Sequence, residues 1–151
     1  MKIIVAAYLG ERLTKLTEEQ KKKKMSNRTT KRWSFDILPA TLNKFLRMHW
    51  AVKKKYNDNW MLLGIAICGR PSFKPGKAEM TITMHRSRLQ DKDNRYGSVK
   101  SLVDTFTKLG WIIDDNTGDL ALTVKEEKSK RKDQRTEVVL TVEMLDDGTD
   151  D

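Results

Sequence analysis

Apolar and polar positions alternate in four stretches of this chain and recur at helical spacing in two others. Trp33-Ser-Phe-Asp-Ile-Leu alternates and ends at Pro39, which predicts a short strand. Ala78-Glu-Met-Thr-Ile-Thr-Met alternates cleanly and predicts a second. Two later alternating stretches, Leu120 to Glu126 and Thr136 to Met144, flank the lysine-rich segment Lys128 to Lys132 and are expected to pair as a closing hairpin. Between the strands, Tyr56, Trp60, Leu63 and Ile67 follow helical spacing, so a helix is expected from about His49 to Ile67, with Gly69 and Pro71 as its stop. Val99, Leu102, Val103, Phe106 and Leu109 form a second stripe, with Ser98 placed to cap its start and Gly110 to end it. Trp111-Ile-Ile then reads as a short buried run that stops at Asp114-Asp115.

Strand, helix, strand, helix and two strands make an α+β fold: a mostly antiparallel four-stranded sheet with two main helices packed on one face. A length of 151 residues suits one such domain. Residues 1–32 have a different texture, an apolar opening from Ile3 to Leu9 and then the run Lys21 to Lys24, and read as a basic N-terminal arm or extension. The domain proper is expected over 33–145, and 146–151 form an acidic tail. Three readings stand for the lysine run: a solvated tail, a non-specific grip on phosphates, or an upstream extension ahead of Met25. A secretory signal is the lesser reading of the apolar opening, and no stretch is long enough to span a bilayer.

Charge narrows the partners. Thirty Lys and Arg stand against twenty-one Asp and Glu, and four of those acids lie in the last six positions. The remainder of the chain is therefore more basic than its net charge of +9 suggests. Such a surplus favours a polyanion, nucleic acid before an anionic membrane. The single Cys68 lies in an apolar run and cannot form an internal disulfide, which fits core packing in a reducing, cytoplasmic setting. One Cys with two distant His, His49 and His85, cannot supply an ordinary structural zinc site, and nothing supports a Ser or Cys triad.

Chemistry concentrates in the segment from His85 to Asn94. Asp91 and Asp93 stand two apart, so in an extended segment both side chains project to the same side and could share one cation. An isolated Asp-x-Asp is commonly only a polar turn. The pair gains weight from Asp114 and Asp115, which end another apolar segment one amphipathic helix away. Adjacent residues at a strand end face opposite ways, so one of the two would join the first pair; the plain alternative is a turn between strands. Three converging carboxylates repel one another, and a divalent cation neutralises them.

Lys100 falls in the first turn of the second helix, where a cation opposes the macrodipole. A surface lysine tolerates that; a catalytic one would use it to place an ammonium beside a phosphate, with Asp104 one turn on to orient it. Arg47, Lys53, Lys54 and Lys55 at the start of the first helix, with Arg86 and Arg88 before the Asp pair, are a solvated face or the walls of a nucleic-acid groove. Hard oxygen ligands on a basic surface suggest Mg²⁺-assisted phosphodiester hydrolysis, in which the metal activates a water and neutralises charge on the phosphate.

The segments Asp91-Lys-Asp-Asn, Lys100-Ser-Leu-Val-Asp104 and Leu109-Gly-Trp-Ile-Ile-Asp-Asp115 resemble, in order and spacing, the RusA family of Holliday junction resolvases, the crossover junction endodeoxyribonucleases of bacteria and their phages. Leu38-Pro-Ala-Thr-Leu-Asn-Lys and the basic helix after it are similar to that family's opening, so the resemblance covers roughly Trp33 to Met144. It implies that Asp91, Asp93 and Asp115 are metal-binding catalytic carboxylates and that Lys100 is the essential lysine. It further implies Mg²⁺, with Mn²⁺ able to substitute, a homodimer, and paired symmetric nicks across four-way or branched DNA in recombination and repair. A two-fold junction calls for two sites related by the same symmetry. No membrane and no small-molecule cofactor are expected. Relative to the shortest form of the motif, Arg95-Tyr-Gly adds about one helical turn before the lysine, to be absorbed in the loop. Two rivals remain: a less selective branched-DNA nuclease, and a DNA-binding protein without catalysis.

Overall fold

The computed structural model describes residues 27–114 and 118–145. The lysine run 21–24, Asp115 and the acidic tail 146–151 lie outside the described residues. The chain forms β1 (Arg28–Phe35), α1 (Leu42–Leu46), α2 (Trp50–Ile67), β2 (Lys74–Arg86), α3 (Lys92–Ser98), α4 (Lys100–Leu109), β3 (Leu120–Lys128), a 3₁₀ turn at Arg131–Asp133, and β4 (Arg135–Leu145). This is an α+β domain with one mixed four-stranded sheet of order β1-β4-β2-β3. Two of its three pairings, β1 with β4 and β4 with β2, are antiparallel, and β2 with β3 is parallel.

The long helices form where the apolar spacing places them. His49 caps α2, its Nδ1 accepting from Ala51 N–H at 3.3 Å. In α4, Leu102, Val103, Phe106 and Leu109 are all buried, and Gly110 ends the helix at φ 90°, a left-handed conformation that costs glycine least. Even-numbered residues of β2 and β4, Met80, Ile82, Met84, Val138, Leu140 and Val142, face the helices across a core closed by Phe35 and Trp60. Trp111 joins this core, stacking edge-on to Trp33 and donating from Nε1 to Gly69 O at 2.9 Å. Cys68 packs at the core margin, where burial pushes its thiol up to about 12.

Three expectations about local structure are corrected. The closing hairpin does not form, because β2 lies between β3 and β4. Alternation reports which face of a strand is buried but not which strand lies beside it. With Val138, Leu140 and Val142 enclosed, β4 takes a central place, whereas Val124 is the only buried apolar residue of β3, an edge strand. The first strand starts at Arg28, inside the segment read as an arm, and pairs with β4 from Arg28 opposite Glu143 to Phe35 opposite Thr136. Its first half is polar on both faces, so no alternation marks it. Finally, the segment after β2 contains the helix α3. Ser98 closes that helix by donating to Arg95 O at 2.8 Å, and α4 starts after Val99 with no side-chain cap.

Among the described residues, no helix is long and apolar enough to cross a membrane.

Candidate functional site

Asp91 is the N-cap of α3. Its Oδ1 accepts from the Asn94 N–H at 3.0 Å, the bond that an Asp-x-x-Asn run supplies to the first turn of a helix. Asp93 lies in that first turn and is exposed. The two carboxylates therefore share a helix N-terminus instead of one edge of an extended segment, because the cap is satisfied only when the chain turns helical after Asp91. Arg95-Tyr-Gly is part of the helix and not of a loop. Arg95 Nε lies 3.3 Å from Glu126 Oε1, and the Tyr96 hydroxyl accepts from Val124 N–H at 3.4 Å, which moors α3 to β3. At Gly97 a Cβ would come within 2.7 Å of Leu42 Cδ2, so the missing side chain lets α1 lie directly against α3.

Lys100 opens α4 and is exposed. It stands beyond the far end of α3 from Asp91, a helix of seven residues that rises about 10 Å. Asp93 and Lys100 take part in no ion pair among the described residues, and Asp104 does not pair with Lys100. Asp114 follows the C-terminal end of α4, and Asp115 is outside the described residues. Among the described residues no group of three or more His, Cys, Asp or Glu is placed to hold a metal ion. Asp91 and Asp93 are hard oxygen donors on an accessible helix end, the donor chemistry that Mg²⁺ takes, so the described part of the expected ligand set fits that ion in kind.

Behind this loop lies a carboxylate that the sequence reading missed. Glu126 continues the inward alternation Leu120, Leu122, Val124, and its side chain is 0% exposed. A buried carboxylate must be paired. Glu126 accepts from the Gln90 N–H at 3.2 Å and lies 3.7 Å from Arg86 Nε and 3.3 Å from Arg95 Nε. One side chain thus ties the end of β2, the turn before Asp91 and the first half of α3 together. Ending the strand at Glu126 hid the signal: an acid on the apolar face of an alternating strand announces a cation beside it.

Arg86 is buried and faces inward. Its Nη2 donates to Pro39 O at 2.7 Å, and Gln90, with its amide oxygen turned to the guanidinium, accepts from Arg86 Nε and Nη2 at 2.9 and 3.0 Å. Burial lowers its pKa from the usual arginine range, with Glu126 opposing that shift. A phosphate contact by Arg86 would break these bonds. The Pro39 carbonyl, with the Ala40 N–H that donates to the Tyr56 hydroxyl at 2.9 Å, pins α1 and the start of α2 beside the acidic loop.

Between these parts runs a polar groove of about 500 Å³ whose walls include Thr41, Asn43, Arg88, Asp91, Asn94 and Gln134. Arg88 is exposed on its wall. Of the basic residues on the α1–α2 segment, Arg47, Lys54 and Lys55 are exposed, while Lys53 is half-buried with its ammonium 5.3 Å from the centre of the Phe45 ring. The lysine-rich connection joins the same end of the sheet, since Ser129 N–H donates to Arg86 O at 2.8 Å and the Ser87 N–H donates to Gln134 Oε1 at 3.3 Å. On the open face of the sheet, His85 lies between Glu127 (Nδ1, 3.5 Å) and Glu137 (Nε2, 3.3 Å). Its Nε2 is not aligned with Glu137 and is buried without a hydrogen bond.

The chain matches no protein-family model and no curated protein.

Proposed function

We propose that this protein is a Mg²⁺-dependent, structure-selective DNA endonuclease that resolves four-way junctions by paired symmetric nicks. The observation that carries the reading is the placement of Asp91 and Asp93 on an accessible helix end, beside a polar groove that Arg88 lines, in a domain that also exposes Arg47, Lys54 and Lys55. Acidic donors surrounded by cations are the arrangement a phosphodiester nuclease needs: the cations hold the polyanion, and the acids hold the ion that acts on it. The resemblance of Asp91-Lys-Asp-Asn, Lys100 and Asp114-Asp115 to the RusA motif supports the same reading.

In this proposal Asp91, Asp93 and Asp115 would hold Mg²⁺, or Mn²⁺ in its place, and the bound ion would supply water activation and charge neutralisation at the phosphate. The chain's own residues do the rest. Asn94 N–H fixes the Asp91 carboxylate, Glu126 fixes the turn that carries it, and Lys100 stabilises charge on the scissile phosphate or on its neighbour along the strand. Two such sites in a homodimer would match the two-fold symmetry of a junction. Recombination and repair in a cytoplasmic setting follow from that substrate.

The test is incubation of a labelled synthetic four-way junction, beside linear duplex, with wild type and Asp91→Asn, in Mg²⁺ and in EDTA. Symmetric Mg²⁺-dependent nicks that vanish in the variant are expected. Tight junction binding with no cleavage by the wild type supports instead a DNA-binding protein without catalysis. Equal cleavage of flaps and junctions would point to a less selective branched-DNA nuclease.

A further inference from the structure

Trp50 is the most exposed large apolar side chain among the described residues, at 73%, while Trp60 and Trp111 are buried and Trp33 is packed against the core. It stands at the first position of α2, where its one ring neighbour among the described residues is the N-cap His49 at 5.4 Å and most of the indole is left to solvent. Its helical neighbours at i+3 and i+4 are Lys53, whose ammonium lies over the Phe45 ring, and the exposed Lys54, so both side chains rise from the flank of the helix that carries the indole. Leu46, 61% exposed, and Arg47 lie just ahead in the chain. From Ile37 to Asn57 there are five cations and no acid. Lysines close to a helix N-terminus oppose the macrodipole, a cost that the fold leaves uncompensated, since no acid lies in the first turn.

We infer that Trp50, flanked by Lys53 and Lys54, is a stacking platform for an unpaired or splayed nucleobase, with the adjoining cations tracking the phosphates. This rests on the nucleic-acid reading above and deepens it, naming unstacked bases at a branch, not uniform duplex, as what this flank takes. An exposed aromatic in a basic groove is how single strands are held without sequence preference, because every base has a π-face. The short helix α1 connects this flank to the groove. Thr41 and Asn43 line the groove that contains Asp91, and Phe45 of α1 stacks on Tyr56 of α2 at 5.6 Å.

Charge excludes the obvious competitor. An isologous contact between two copies through this flank would set Arg47, Lys53 and Lys54 against themselves, with no acid between Asp36 and Asp58 to pair them.

The experiment compares the full chain, Trp50→Ala and Trp50→Phe, in EDTA so that no cleavage intervenes, on a single-stranded oligonucleotide, a four-way junction and a blunt duplex. Wild type is expected to show quenching of its exposed tryptophan fluorescence on the single strand and the junction. Trp50→Ala should lose that quenching and bind both between about fivefold and a hundredfold more weakly, the size of one base–aromatic stack. Blunt-duplex affinity should be unchanged, and Trp50→Phe should keep most of the preference. Equal losses on all three ligands, or no loss, would overturn the inference. So would Trp50-dependent binding to vesicles of anionic lipid that exceeds binding to the oligonucleotide, or Trp50-dependent dimerisation in sedimentation without DNA. Because no metal is present, the outcomes separate from the nuclease reading. Mg²⁺-dependent cleavage with Trp50-independent binding sinks the platform alone, and Trp50-dependent binding without cleavage sinks the nuclease alone.

Discussion

Glu126 on β3 and Arg86 on β2 form an ion pair at 3.7 Å inside the domain, with the carboxylate side chain wholly enclosed and the guanidinium nearly so. The same carboxylate accepts from the backbone N–H of Gln90, the residue before Asp91. The pair therefore sets the direction of the loop that carries the candidate acids. Removing one partner of a buried pair strands the other, so Glu126→Gln should lower unfolding free energy by about 3 kcal/mol. Urea unfolding checks this. A variant as stable as wild type would mean that Arg86 reaches water. Replacing both, Arg86→Met with Glu126→Leu, should recover much of the stability while junction cleavage stays impaired, because the Gln90 N–H has lost its acceptor.

Asp91 has two roles that substitution separates. Asparagine caps a helix about as well as aspartate, whereas alanine in that place costs about 1 kcal/mol. Asp91→Asn should thus keep wild-type stability and junction binding, or bind tighter, while cleavage is lost. Asp91→Ala should lose both cleavage and about 1 kcal/mol of stability. If Asp91→Asn cleaves at the wild-type rate, Asp91 is a cap and nothing more.

At Gly64 a Cβ would approach Thr105 Cγ2 to 2.7 Å and Leu109 Cδ1 to 3.0 Å, where α2 crosses α4. Thr105 is buried and branched, with its hydroxyl bonded to Ser101 O at 2.9 Å, so it cannot swing aside. Gly64→Ala should destabilise the fold by about 2 kcal/mol. Thr105→Ser, which removes Cγ2 and keeps the hydroxyl, should restore part of that loss in the double variant. Additive losses in thermal or urea unfolding would show that the contact is not the cause.

The hydrogen bond from Arg135 Nε at 2.8 Å, helped by His85, holds the Glu137 carboxyl below the usual carboxylate range. A folded-state pKa below the unfolded one contributes stability above the unfolded value, and that contribution fades as pH falls toward the folded value. Stability should therefore decline as pH drops below about 4.5, the ordinary value. Arg135→Ala should shallow that decline, since the carboxyl then titrates nearer its ordinary value. The contribution is small because Glu137 is partly exposed to solvent. Urea midpoints measured from neutral to acid pH check it, and an identical acid limb in the variant would remove Arg135 as the cause.

Affinity for a four-way junction should fall steeply with salt, because the basic flank releases counterions when it binds phosphate. A flat salt response would show that Arg47, Lys54, Lys55 and Arg88 are not the binding face.

The sequence by itself determined most of the apolar residues that turn inward, although Ile67, on the same stripe as Trp60, is 40% exposed. Periodicity alone marks Trp60, Met80, Ile82, Phe106 and Leu140 as core, and the stop at Gly110 follows from the same local rules. It also marked the acidic loop, because Asp-x-Asp-Asn is a local pattern. What local patterns lack is neighbour identity. Tertiary structure alone placed β2 between β3 and β4, since alternation fixes a face and leaves strand order to packing. It made Arg86, a candidate for phosphate binding, the buried partner of Glu126, two residues forty positions apart that meet only because β2 and β3 run in parallel. Trp50 lies off the stripe of Tyr56, Trp60, Leu63 and Ile67, and only the packed domain leaves it 73% exposed.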